Sequence, residues 1–182
     1  MGGFFMKTNK YLAESIRSIP NFPKPGILFR DITTLIKDKE AFKESVELIA
    51  RKFTQEKIDY VVGVEARGFI FGGALATRLN VGFIPIRKKG KLPAKTKGIT
   101  YNLEYGTDTL EIHQDALNPG DKVLIIDDLL ATGGTVRAAA DLVEAQGAKV
   151  LGLAFVIELV DLKGREKLKN YPIVSLVEFE GE

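Results

Sequence analysis

The chain has 182 residues, 45% of them hydrophobic and 27% charged, which suits one globular domain with a full core. Its formal net charge of +2 is too near neutral for bulk attraction to nucleic acid or to a membrane surface. It has no cysteine and a single histidine, His113, which excludes disulfides, thiolate metal sites, cysteine nucleophiles and multi-histidine metal centres.

The first residues, Met1 to Met6, are apolar but too short for a secretory signal, and no stretch approaches the roughly 20 apolar residues that span a bilayer. The absence of cysteine fits a reducing cytoplasm. Tyr11 to Ile19 has the pattern of a short amphipathic helix ended by Pro20. The string Asn21-Phe22-Pro23-Lys24-Pro25-Gly26 is punctuated too heavily for helix or strand, and Ile27 to Ile36 is a short mixed segment. Phe42, Val46, Ile49 and Phe53 give Lys39 to Gln55 helical spacing. Next, Tyr60 to Val64 reads as a strand, Phe69 to Leu79 as a helix and Val81 to Ile86 as a strand. Thr107 to His113, a polar alternating stretch within Lys88 to Asn118, reads as part of a hairpin arm. Lys122 to Ile126 and Val150 to Ile157 are apolar strands around a helix, Thr135 to Gln146, closed by Gly147; Ile173 to Val177 is a last strand. Strands alternating with helices favour a mainly parallel sheet covered on both faces.

The most informative string is Val123-Leu124-Ile125-Ile126-Asp127-Asp128-Leu129-Leu130-Ala131-Thr132-Gly133-Gly134-Thr135. An apolar strand ends in two carboxylates, passes through small residues and enters a helix. Thr132 to Thr135 can wrap an anion with backbone N–H groups and two hydroxyls, beside the positive end of the helix. Asp127 and Asp128 are acceptors suited to vicinal ribose hydroxyls. An Asp-Asp pair alone is more often a helix cap; the whole string is far more specific, and it lacks the Gly-Lys-Ser/Thr ending of a Walker loop.

Two further segments carry charge toward the same sheet end. Val64-Glu65-Ala66-Arg67-Gly68 sets Arg67 at a strand-to-helix turn, where a guanidinium can grip phosphate bidentately. Arg87-Lys88-Lys89-Gly90-Lys91-Leu92-Pro93-Ala94-Lys95-Thr96-Lys97-Gly98 is a basic run with glycine and proline in it, suited to a lid that closes on a polyanion. The ordinary readings are a surface ion pair for Arg67 and a solvated loop for the run.

The Val123–Thr135 string resembles the phosphoribosyl pyrophosphate signature of the type I phosphoribosyltransferases. The resemblance sharpens elsewhere. Asn21 to Ile32 is similar to the hood of the adenine-using members, Tyr101-Asn102-Leu103-Glu104-Tyr105-Gly106 to their lid arm, and Glu158 to Leu168 to their C-terminal segment. It implies an α/β type I phosphoribosyltransferase fold: a central, mainly parallel sheet flanked by helices, with an N-terminal hood at about 20–36 and a flexible lid arm at about 87–113, in one domain spanning residues 1–182.

The resemblance also implies roles. Asp127 and Asp128 bind the ribose hydroxyls; Ala131, Thr132, Gly133, Gly134 and Thr135 hold the 5′-phosphate. Pyrophosphate falls to Glu65, Ala66 and Arg67, with a cis Glu65–Ala66 bond, and to Arg87, Lys91, the weaker candidate Lys88, and Tyr105. Leu28 reads adenine through its backbone, Phe29 stacks on it, Arg30 lies at the pocket edge and Leu159 covers the opposite face. Catalysis is assigned to Arg67 and to Glu104, the candidate proton handler at N7 or N9. The implied reaction is purine salvage: adenine and phosphoribosyl pyrophosphate give AMP and pyrophosphate. Mg²⁺ is held mainly by substrate and water, with no protein ligand set. The implied setting is a cytoplasmic homodimer without nucleic-acid or membrane partners. Two alternatives remain: an oxopurine acceptor, and a non-catalytic regulator that binds phosphoribosyl pyrophosphate.

Overall fold

The computed structural model describes residues 9–102 and 106–181. In chain order the elements are α1 (Lys10–Glu14), β1 (Arg17–Pro20), β2 (Leu28–Asp31), α2 (Thr33–Lys37), α3 (Lys39–Lys52), β3 (Tyr60–Val64), α4 (Gly68–Leu79), β4 (Gly82–Lys88), β5 (Thr96–Asn102), β6 (Thr107–His113), β7 (Lys122–Leu130), α5 (Gly134–Glu144), β8 (Lys149–Leu159) and β9 (Ile173–Phe179). Two 3₁₀ helices, Val160–Leu162 and Gly164–Leu168, join β8 to β9.

A seven-stranded sheet runs in the order β5-β6-β4-β3-β7-β8-β9. The β4-β3-β7-β8-β9 portion is parallel throughout. β6 is antiparallel to both β4 and β5, so the arm is a hairpin joined to the parallel core at Arg87 and Lys88. Both faces of β7 are buried: Leu124 and Ile126 join a core cluster with residues of α3 and α4, while Val123 and Ile125 join a second cluster with residues of α5. That two-sided burial is why the parallel strands read as continuous apolar runs. The architecture is α/β, with a mostly parallel central sheet flanked by helices, as expected.

The N-terminal region departs from the helix expected over Tyr11 to Ile19. α1 stops at Glu14, and Arg17 to Pro20 pair with Leu28 to Asp31 in a two-stranded antiparallel sheet. Long-range contacts override the local pattern: the Arg17 N–H donates to Thr34 Oγ1 at 3.0 Å, and the Arg17 side chain donates to Asp31 through Nε at 3.1 Å and also through Nη2. The mixed segment after Gly26 resolves into β2 and α2. Asp31 joins them, its Oδ1 accepting from Thr33 N at 3.0 Å and Thr33 Oγ1 at 2.6 Å. Those Thr33 bonds, and then Arg17, hold the Asp31 carboxyl down to about 2. β7 also runs past Ile126, staying paired with β8 as far as Leu130.

Candidate functional site

The loops beyond the carboxyl ends of β3, β4 and β7 converge on one cleft of about 390 Å³. Its walls include Glu65, Ala66, Arg67, Lys88, Asp127, Asp128 and the stretch from Leu129 through the loop to Thr135, together with Tyr101, Asp108 and Leu110 of the arm. A second cavity of about 410 Å³ lies under the hood, walled by Ile19, Phe22, Phe29, Arg30, Asp31, Ile32 and Thr33. Arg67 belongs to both walls, so the two spaces meet at its side chain.

Asp127 and Asp128 sit on the paired part of β7, not at a helix start. Asp128 is buried and ion-paired to Arg67, with Nε to Oδ2 at 2.5 Å. Asp127 Oδ1 accepts the Asp128 N–H at 2.9 Å. Burial first, and then the Asp128 charge beside it, push the Asp127 carboxyl well above the usual carboxylate range.

After Leu130 the chain leaves the sheet and turns into α5. Gly133, the residue before α5, has φ +78° and no side chain to cap the helix. The first N–H groups of α5 are thus free of a side-chain cap and available to an anion. A Cβ on Gly133 would come within 2.5 Å of the Gly164 carbonyl oxygen. Gly133→Ala is therefore expected to lower stability by about 2 kcal/mol through left-handed strain, and by more through that collision. A denaturation midpoint equal to that of the wild type would contradict the loop geometry.

The basic run is anchored, not free. Glu65, its side chain 9% exposed, accepts from Arg87 Nε at 3.3 Å, Arg87 Nη2 at 3.1 Å, Lys91 Nζ at 2.8 Å and the Lys88 N–H at 3.1 Å. The peptide bond between Glu65 and Ala66 is cis. The Glu65 carboxylate is surrounded by donors, so it orients cations and offers an incoming anion only repulsion. Arg87 and Lys91 stand behind it, outside the cleft wall, whereas Lys88 lines the cleft and pairs with Asp108 at 3.1 Å. Arg87 first, then Lys91 and the Lys88 N–H, hold the Glu65 carboxyl down to about 2. A depressed carboxylate adds stability above its unfolded value, about 4.3, and loses it as pH falls through about 2. The stability gap between wild type and Glu65→Gln should then be constant above about pH 5 and shrink from there toward about pH 2. Thermal melts across that range check it, and a gap that stays flat would count against the anchor.

Within the hood cavity, Phe29 meets Phe22 edge-on, with ring centroids 5.2 Å apart. The Arg30 guanidinium lies over the Phe179 ring at 4.0 Å and donates to Ser18 Oγ at 2.7 Å. Leu28 opens β2 and Leu159 ends β8, buried in the same core cluster as Ile32; neither forms part of the cavity wall. Glu104 and Tyr105 lie outside the described residues. Sequence reasoning passed over Phe22, Tyr101 and Asp108. Tyr101 and Phe22 were inside strings singled out as arm and hood, so their aromatic character was the available signal. Tyr101 OH lies 3.3 Å from Thr135 Oγ1, joining arm to loop.

A cleft over the ends of β3 and β7 and the start of α5 thus meets a separate aromatic cavity at one arginine. The phosphoribosyl transferase domain model matches residues 33–181. The adenine phosphoribosyltransferase of Symbiobacterium thermophilum is 60% identical over 164 residues, covering 90% of this chain and 96% of that protein. The crystal structure of adenine phosphoribosyltransferase from Thermoanaerobacter pseudethanolicus superposes with a TM-score of 0.90 at 53% identity, covering 93% of this chain and 99% of the other. The Saccharomyces cerevisiae enzyme, solved with adenine and an imino-altritol bisphosphate, gives 0.87 at 44% identity, with 92% and 97% covered. The chain belongs to the phosphoribosyl transferase family and, within it, to the adenine phosphoribosyltransferases.

Proposed function

We propose that this chain catalyses transfer of the phosphoribosyl group from phosphoribosyl pyrophosphate to N9 of adenine, releasing pyrophosphate and forming AMP, a step of purine salvage. The observation that carries the reading is Arg67, the shared wall of the phosphate cleft and the aromatic hood cavity. Transfer between two bound reactants needs both spaces to open on one point, so that the attacking nitrogen and C1′ are held in line.

In this reading Asp127 and Asp128 receive the ribose hydroxyls, and Ala131 to Thr135 receive the 5′-phosphate. Phe29 and Phe22 offer aromatic surface to the base, with Arg30 at the edge, while Leu28 and Leu159, assigned to adenine by the resemblance, stand outside the cavity wall. As the C1′–O bond to pyrophosphate breaks, negative charge grows on the leaving group; Arg67 and Lys88 face it, with Ala66 beside it and Arg87 and Lys91 held by Glu65, and the family resemblance adds Tyr105 to this set. Glu104 handles the proton of the base.

Mg²⁺ fits the donor set as a companion of the substrate. Among the described residues no group of three or more acidic, histidine or cysteine side chains could hold a metal, while the cleft offers the neighbouring carboxylates Asp127 and Asp128. When bound, the ion would neutralise pyrophosphate charge. The family resemblance also carries a homodimeric enzyme of the cytoplasm acting as one catalytic domain. Large apolar side chains at Tyr11, Ile27 and Ile70 remain exposed on the protomer, and among the described residues no helix is long and apolar enough to cross a membrane.

Purified protein given adenine, phosphoribosyl pyrophosphate and Mg²⁺ should release AMP and pyrophosphate in equal amounts. Tight binding of phosphoribosyl pyrophosphate with no product would replace the transferase with a sensor.

A further inference from the structure

Glu158 is 4% exposed and takes no part in the chemistry described above. A buried carboxylate is costly unless well paired, so its partners indicate what it is for. Arg165 donates to it bidentately, Nε to Oε1 at 2.7 Å and Nη2 to Oε2 at 2.5 Å. The same Nη2 donates to Ser175 Oγ at 2.6 Å, and the Ser175 hydroxyl in turn donates to Glu158. Glu178 lies 3.8 Å from Arg165 Nη2. One guanidinium therefore ties the 3₁₀ helix Gly164–Leu168 to the ends of β8 and β9.

That helix begins directly beneath the phosphate loop. A Cβ on Gly164 would collide with the Ala131 carbonyl and stand 2.8 Å from Leu130 Cδ1, and the Gly164 carbonyl is what limits Gly133. Glu158 pairs in register with Leu130, the last residue of β7 before the loop. The clamp thus fixes a floor of backbone under Ala131 to Gly133 from the strand that adjoins the loop's entry. Leu168, at the far end of the helix, is buried in the core cluster of Leu130 and Val136, whereas Leu159 belongs to the other cluster.

We infer that Arg165 and Glu158 are positioning residues for the 5′-phosphate loop: they set its shape through Gly164 without touching substrate. The inference rests on the assignment of Ala131 to Thr135 to the 5′-phosphate. It predicts a defect confined to the phosphoribosyl end. The pyrophosphate end, at Arg67 and Lys88, does not share this floor.

The test is calorimetric binding of AMP and, separately, of pyrophosphate with Mg²⁺ to the wild type, Arg165→Ala, Arg165→Lys and Glu158→Gln. Arg165→Ala should weaken AMP about tenfold and leave pyrophosphate unchanged, since a loop misplaced by about an ångström loses directed contacts. Arg165→Lys should recover part of the loss, because an ammonium keeps the charge but not the fork. Equal weakening of both ligands, or no change in either with the fold intact, would overturn the inference. Should Arg165→Ala not fold, Arg165→Lys and Glu158→Gln carry the same comparison: AMP weakened alone supports the clamp, and equal weakening or no change overturns it. A wild type that binds pyrophosphate but not AMP would overturn the phosphate-loop assignment itself, and the clamp's role with it.

Discussion

Arg67→Ala is expected to lower kcat/KM by about 10²–10³-fold, equivalent to about 3–4 kcal/mol of transition-state stabilisation. Two losses combine. The leaving pyrophosphate loses a cation that faces both cavities. Asp128, 6% exposed, also loses the guanidinium that compensates its charge at 2.5 Å. That carboxylate is then left buried beside Asp127 without its compensating charge. Arg67→Lys should restore only part of the activity, since the two-sided placement depends on the planar fork. Steady-state kinetics with both substrates varied decide it. Activity within a few-fold of wild type would reduce Arg67 to a surface ion pair.

Glu104→Ala is expected to lower kcat by about 10²–10⁴-fold while leaving the dissociation constant for phosphoribosyl pyrophosphate unchanged. Glu104 lies in the string that joins β5 to β6, outside the described residues. The near end of that string bears on the site: Tyr101 reaches Thr135 at 3.3 Å, and Asn102 O lies 3.5 Å from where a Cβ on Gly134 would be. Single-turnover rates, with binding measured apart, separate the effects. An unchanged rate removes Glu104 from the mechanism; a matching loss of binding makes it a positioning group.

The parallel strands and their helices were legible because two-sided burial leaves a continuous apolar signature, as in Tyr60 to Val64 and Lys122 to Ile126. The turn from β7 into α5 was legible because its pattern is contiguous: two carboxylates, small residues and a helix start within one string. What stayed hidden depends on partners distant in sequence. The β1 strand forms because Arg17 to Pro20 find Leu28 to Asp31, and nothing in Tyr11 to Ile19 announces it. The Glu65 side chain binds Arg87 and Lys91, 22 and 26 residues away, a contact no local string displays. The Arg67–Asp128 pair spans 61 residues. Gly164 carries no side-chain signal, and its importance lies in how closely its backbone meets Ala131 and Gly133.

In the proposed reaction the hood cavity selects adenine and the cleft delivers phosphoribose to it. The measurement that tests it most directly is nucleotide formation from phosphoribosyl pyrophosphate and Mg²⁺ with adenine, hypoxanthine, guanine, xanthine, uracil and orotate supplied in turn. AMP should form from adenine, with negligible product from the other five. Comparable turnover of an oxopurine or a pyrimidine would contradict it.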